Sequence, residues 1–365
     1  MSRRSWLASC LAFALLAASC GGGGSASTSD SQGNEPPAPG QPPAKVIVVG
    51  PNIMETPVLL RSNANKLYAG TRYGLLEVDP DASVVRSVFG NEFARSSSGA
   101  FGSLFDAPDQ ILFSDNAAFA PALDDEYSKA ARIALQPTTT AVDVVVPSTA
   151  MYGANFRGMT ADANRSLWFY FVGNSESIDV FSQLHRQGST NKKLFTLAGN
   201  DISAAIRGDN LYLLTEGSRR RLYRYQFSLD LLTVIDDRPP WSSNVVGVMP
   251  LVPTADGVYW GHGNTVLFAP NSAGAIRTVA TLTGSVKTLA FDGTSLWAVH
   301  NIDSTSVPSG TFAYVSRIDP TSGQASEIIR RDADSLSIYG MSASDDGRAF
   351  WMEYGIQGPG AQLTS

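Results

Sequence analysis

Polar turns rich in Asp, Asn and Gly alternate along this chain with short apolar, aromatic runs, and one such phrase keeps returning. It reads NANKLYAG from Asn63, DAPDQILFS from Asp106, DANRSLWFY from Asp162 and RGDNLYLL from Arg207. It returns as TADGVYWG from Thr254, FDGTSLWAV from Phe291 and SDDGRAFWM from Ser344. Aligned on Leu67, Ile111, Leu167, Leu211, Val258, Leu296 and Ala349, the runs lie 44, 56, 44, 47, 38 and 53 residues apart. Each run is short, aromatic and bounded by turn residues, which predicts a strand rather than a helix. A period of 40 to 50 residues with several short strands per unit is the signature of propeller blades.

Each unit divides into about four strands. The first gives Val58–Arg61, Leu67–Thr71, Gly74–Val78 and Ser83–Phe89, the last two joined by the turn Asp79-Pro80-Asp81. The sixth gives Lys287–Phe291, Leu296–His300, Ala313–Ile318 and Ala325–Arg330, with Asp319-Pro320 repeating that turn chemistry. Gly102, Gly158 and Gly340 stand nine positions before the aligned residue in three units, where a strand crowding a central channel has little room for a side chain. The wide second gap is read as a loop insertion with a short helical turn over 118–131. The last unit is a strand short, and Lys45–Gly50 is a strand without a unit. Pairing the two closes a ring and leaves no open edge. The expectation is an all-β β-propeller of seven blades, each of four antiparallel strands, closed by the N-terminal strand; six or eight blades also fit the uneven spacing.

Composition agrees. Among 365 residues there are 33 Gly and 20 Pro, with 43% hydrophobic and only 16% charged residues, which suits a large core and many turns. The amino terminus stands apart. Arg3 and Arg4 precede an apolar run from Trp6 to Ala18 that is too short to span a membrane as a mature helix. The run ends in Leu16-Ala17-Ala18-Ser19-Cys20 and is followed by Gly21–Gly24. This resembles the lipobox of bacterial lipoproteins, with Ala17 in place of the usual Leu, and it implies lipidation of Cys20 as the new amino terminus. Leu7-Ala8-Ser9-Cys10 fits the local pattern too, but leaves almost no hydrophobic region before it. The competing reading is a secreted protein cut near Ser19.

Residues 1–19 are therefore expected to be a lipoprotein signal peptide, 20–44 a lipidated Cys with a Gly/Ser/Pro tether, and 45–365 the propeller. Gly21 after the Cys implies the outer membrane in the Gram-negative sorting rule, with the domain facing the periplasm or the cell surface. The tether could reach roughly 80 Å at full extension. Both cysteines, Cys10 and Cys20, lie in the leader, so the expected domain has no disulfide and no thiolate site. The formal charge is −6. An acidic, exported chain is a poor partner for nucleic acid.

No phosphate-binding loop, nucleophile elbow or zinc-protease motif is present. Four residues beyond the aligned positions stand Thr71, Asp115, Phe171, Thr215, His262, His300 and Glu353, six of them polar at the end of an apolar strand. In a propeller this end leads into the ligand-binding loops. Asp115, His262, His300 and Glu353 are thus candidate ligands around the channel mouth, where imidazole and carboxylate could hold a divalent metal or act as acid and base. Strand ends are also polar wherever they meet water, and alternation aims such side chains at a neighbouring blade as readily as at the channel. The run Arg219-Arg220-Arg221 with Arg224 could grip an anion or form a solvated turn.

The phrases FWMEYG from Phe350 and LYLLTEGSRRRLYRY from Leu211 resemble the repeat of streptogramin-lyase-like and NHL-type propellers. In that repeat a Leu-Trp-Phe-Thr-Glu strand precedes a Gly/Asn turn. Glu353 falls on the family's Glu, and Glu216 does so with one residue inserted. The resemblance implies Glu and His around a magnesium ion in the lyase members. No residue is assigned a catalytic role. The expected function is binding of an envelope protein, peptide or glycan by a membrane-tethered module. The alternatives are a metal-assisted lyase or lactone hydrolase, and a structural part of an envelope assembly.

Overall fold

The recurring phrases owe their apolar character to burial on both faces. In the run Val258-Tyr259-Trp260 every side chain is buried, and in Leu211-Tyr212-Leu213-Leu214 likewise. A strand covered on both sides reads as a continuous apolar run rather than an alternating one. The computed structural model describes residues 46–50, 59–63, 66–71, 74–82, 84–90, 112–114, 117–123, 128–134, 142–145, 155–161, 165–171, 177–184, 192–199, 201–239, 250–272, 274–301, 312–332, 336–343, 347–355 and 361–364. Among these residues every regular element is a strand.

β1 is Val46–Gly50. Sheet one is β2 (Leu59–Asn63), β3 (Lys66–Thr71), β4 (Gly74–Asp79) and β5 (Val84–Gly90). Sheet two is β6 (Leu112–Ser114), β7 (Ala117–Leu123), β8 (Ser128–Ala134) and β9 (Val142–Val145). Sheet three is β10 (Asn155–Ala161), β11 (Arg165–Phe171), β12 (Ser177–Leu184) and β13 (Lys192–Ala198). Sheet four is β14 (Asp201–Arg207), β15 (Asn210–Glu216), β16 (Arg220–Gln226) and β17 (Leu231–Arg238). Sheet five is β18 (Leu251–Pro253), β19 (Gly257–His262), β20 (Thr265–Pro270) and β21 (Arg277–Thr281). Sheet six is β22 (Ser285–Phe291), β23 (Leu296–Asn301), β24 (Phe312–Ile318) and β25 (Ala325–Asp332). Sheet seven joins β26 (Leu336–Ala343), β27 (Ala349–Gly355) and β28 (Ala361–Thr364) to β1, in the order β1-β28-β27-β26. All pairings are antiparallel, and β1 lies on β28 with Val46 opposite Thr364.

The first strands adjoin one another from sheet to sheet. β10 lies beside β6 and β14, β18 beside β14 and β22, and β26 beside β22 and β2. Between successive sheets, alternate residues of the second strands β15 and β23 supply one of two cores. Leu211 and Leu213 pack with Leu167, Phe169 and Val180 of sheet three. Tyr212 and Leu214 pack with Val258 and Trp260 of sheet five. Leu296 and Ala298 face Tyr259, Val266 and Phe268 of sheet five, while Trp297 and Val299 face Met341 and Trp351 of sheet seven.

Unit two departs from the sequence expectation. The phrase around Ile111 leads into β6, a first strand, whereas the other six aligned residues lead into or lie in second strands. Within 118–131, residues 118–123 belong to β7 and 128–131 to β8 where a loop insertion was expected, and 124–127 lie outside the described residues. Pro121 disguised β7, since a residue without an N–H argues against a central strand. β6 stops opposite Phe119, so at Pro121 only β8 is described as a partner. Two of the three spaced glycines mark bulges. The register of β10 shifts between Phe156 and Gly158, and that of β26 between Tyr339 and Met341. β22 shifts likewise between Val286 and Thr288, without a glycine. Gly102 lies outside the described residues.

Candidate functional site

Second-strand alternation decides where the candidate residues point. Thr215 has the parity of Leu211 and Leu213, and its hydroxyl donates to the Ala198 carbonyl of sheet three at 2.9 Å. His262 has the parity of Val258 and Trp260, which face sheet four. His300 has the parity of Leu296 and Ala298, which face sheet five. Glu353 has the parity of Trp351, which faces sheet six. Each therefore turns toward the preceding sheet, closing the end of a joint.

Their surroundings differ. Glu353 is buried, takes the Trp351 indole N–H at 2.9 Å and pairs with Arg331 of β25 at 3.3 Å. His262 ends β19, half-buried, where Gly263 at φ 59° turns the chain into β20. Burial first, then the nearby Arg220 and Arg238, push its imidazole down to about 4, against the opposing pull of Asp236. His300 is 2% exposed. Its Nε2 lies 2.9 Å from the Ser316 hydroxyl, and its ring stacks on Tyr314 at 5.0 Å and 8°. Burial pushes this imidazole down to about 4 as well.

The three described candidates are held in separate joints and do not converge. Asp115 lies outside the described residues. Among the described residues no three His, Cys, Asp or Glu are gathered to hold a metal ion. Cys20 also lies outside the described residues.

The arginine run is absorbed within the fold. Arg219 and Arg221 pair with Asp237, and Arg220 pairs with Glu216 while donating to the Gly261 carbonyl of sheet five at 3.1 Å. Arg224 donates to the Asn271 carbonyl at 2.5 Å, beside the hydrogen bond from Tyr212 to the Asn271 side chain. Arg220 and Arg224 thus fasten sheet four to sheet five. Gly261 is required at one of these points, because a Cβ there would come within 2.6 Å of Pro250 and 2.9 Å of Val286.

A related contact recurs at the other end of the joints, where one sheet's arginine meets the turn between third and fourth strands of the next. Arg165 lies over Phe227, Arg277 donates to the Pro320 carbonyl at 3.0 Å, and Arg348 pairs with Asp81 at 2.7 Å. Sequence reasoning missed these residues. A trace of them was visible in the repeated Asp-Pro turns. Arg224→Met is expected to lower stability by about 2 kcal/mol in urea unfolding, since it strips a charged donor from a part-buried carbonyl. Arg219→Met, at an exposed ion pair, should change it by less than about 1 kcal/mol.

No protein-family model matches the chain, and no curated protein matches its sequence. Solved structures do resemble it. An oligogalacturonate lyase in complex with manganese has a TM-score of 0.55 at 12% identity, over 82% of this chain and 86% of that one. A puromycin hydrolase has a TM-score of 0.53 at 16% identity, over 82% of this chain and 50% of that one. The extracellular domain of a putative one component system from B. thetaiotaomicron has a TM-score of 0.51 at 17% identity, over 88% and 39%. The architecture is that of a β-propeller. The chain spans half the length of the hydrolase and less of the sensor. At such identities the likeness carries the fold alone, and a fold of this kind hosts many unrelated activities.

Proposed function

We propose that the chain is a seven-bladed β-propeller, closed by its N-terminal strand and held at a bacterial membrane surface through lipidated Cys20. It acts there as a binding module for an envelope protein, peptide or glycan. One observation carries the choice of binding over catalysis: the described polar residues best suited to chemistry are committed to joints between sheets. Glu353 is occupied by Arg331 and Trp351, and His300 is packed against Tyr314 and Ser316. The ring reading is supported by the pairing of β1 with β28 and by the place of β26 beside β2. The sensor among the structural neighbours is itself an extracellular domain, which is in keeping with an envelope location.

Two experiments test this. Cys20→Ser should release the protein from the membrane fraction, while Cys10→Ser should leave it bound; the reverse pattern overturns the anchor. Full-length protein should bind its ligand from panels of envelope peptides and glycans saturably, without altering it and without need of a divalent ion. Turnover of an oligogalacturonate or a lactone that depends on added manganese or magnesium would replace binding by metal-assisted lyase or hydrolase chemistry. Loss of that turnover in Asp115→Asn would then place the metal there.

A further inference from the structure

We propose that sheet five is bracketed by two histidines that release it from both neighbours when the surroundings turn acid. His262 belongs to sheet five and turns toward sheet four; His300 belongs to sheet six and turns toward sheet five. They occupy equivalent places on β19 and β23, so both lie at the same end of their joints.

The surroundings of each disfavour a second proton. Around His300, β24 supplies Tyr314 and Ser316, and β25 supplies Arg330, whose guanidinium lies 5.8 Å from the Tyr314 ring centre. On β22, Val286 stands opposite and Lys287 occupies the adjoining bulge. Sheet five contributes Val266, Val279, Ala280 and Leu282 to the apolar core of this joint. Ser316 serves Nε2, while Nδ1 is buried with no hydrogen-bond partner among the described residues. An imidazolium would carry two donors into a site with one described acceptor and without a described carboxylate. That is a charge buried without compensation.

His262 meets a different obstacle of the same sign. Arg220 on β16 and Arg238 on β17 already stand near it. Their carboxylates are taken: Glu216 on β15 holds Arg220, and Asp236 holds Arg238 at 2.5 Å. A proton on His262 adds a third cation to the end of this joint. Opening admits water and ends both conflicts.

The linkage has a definite sign. Each imidazole titrates near 4 in the closed joint, against an ordinary value of 6.5. The opened form therefore binds more protons between those values, and closure weakens as pH falls through 6.5 toward 4. Below about 4 no further loss comes from these two groups. At pH 4.5 each histidine favours opening by roughly 70-fold relative to pH 7.5.

Hydrogen–deuterium exchange on the full chain at pH 7.5 and 4.5, corrected for intrinsic exchange rates, reads this directly. Amides at the His262 end of β17, β19 and β20 and at the His300 end of β21 and β23 should gain tens of fold in opening. The joint between sheets three and four, closed by Thr215, should not. His262→Gln should cancel the gain at the sheet four–five joint alone, and His300→Gln the gain at the five–six joint alone. An equal gain in every sheet, or an unchanged gain in the double variant, overturns the proposal in favour of general acid loosening through carboxylates. Should the variants fail to fold, NMR titration of the wild-type imidazole C2 protons decides: midpoints well below 6.5 are expected, and an ordinary midpoint for either residue removes it from the device.

Discussion

Asp292→Ala is expected to lower the stability of the protein by more than about 3 kcal/mol, since each buried donor left unpaired costs roughly 1–3 kcal/mol. The carboxylate is 1% exposed and anchors the turn entering β23. Its Oδ1 accepts the Thr294 N–H and hydroxyl at 2.8 Å and the Ser295 N–H at 2.7 Å, and its Oδ2 accepts the Trp297 indole N–H at 2.8 Å. Burial alone would raise the carboxyl pKa. The bonds from Ser295, Trp297 and Thr294 outweigh it and hold the group below its ordinary value. With the folded value depressed, the contribution is complete above the ordinary carboxylate range and fades only as pH falls toward the folded value.

A further substitution separates the parts of this arrangement. Asp292→Asn keeps an acceptor for the turn but sets an amide against the indole N–H, so its loss should be smaller than that of Asp292→Ala. Urea unfolding at pH 7 supplies the ranking. Asp292→Ala within about 1 kcal/mol of wild type would mean that water replaces the carboxylate and that the turn is not held from within.

The periodic signal was legible wherever a second strand is covered on both sides. Val258-Tyr259-Trp260 and Leu296-Trp297-Ala298 announce such strands, because only a strand between two sheets needs apolar side chains on both faces. In sheet two the signal slipped. Four of the seven residues of Ala117–Leu123 are alanine, Pro121 argues against a strand, and the phrase after Ile111 belongs to the strand before.

His262, His300 and Glu353 were aligned with each other correctly, and their common parity is confirmed by the cores beside them. What the sequence could not supply was the direction of that common face, toward the preceding sheet and not toward a shared point. The joining arginines were hidden for a similar reason. Arg220 reaches a carbonyl 41 residues away and Arg224 one 47 residues away, and a backbone acceptor leaves no mark in the sequence. The run therefore reads equally as an anion site or as a solvated turn.

Removing residues 46–50 is expected to have the largest effect on the whole molecule. β1 is the fourth strand of sheet seven, paired with Ala361, Gln362, Leu363 and Thr364. Without it the outer edge of sheet seven passes to β28, which is four residues long and then held by β27 alone, and a weakly held edge is a template for association with another chain. At roughly 1 kcal/mol for each lost backbone bond and pair, the direct loss is on the order of 4 kcal/mol. β27, with the buried Trp351 and Glu353, is then one strand from solvent. Aggregation or a sharp fall in melting temperature should follow.

Deleting residues 25–40 instead should leave melting unchanged, since the domain is expected to begin beyond them. Arg348→Ala supplies a finer comparison at the same seam. Its pair with Asp81 links sheet seven to the first sheet's turn, but the partners are 38% and 78% exposed, and such a pair is worth at most about 1 kcal/mol. The order of melting temperatures should therefore be wild type and the 25–40 deletion together, Arg348→Ala slightly below, and the 46–50 deletion far below. Equal melting of the two deletions would show that β1 does not close the ring, and that sheet seven is stable with its three C-terminal strands.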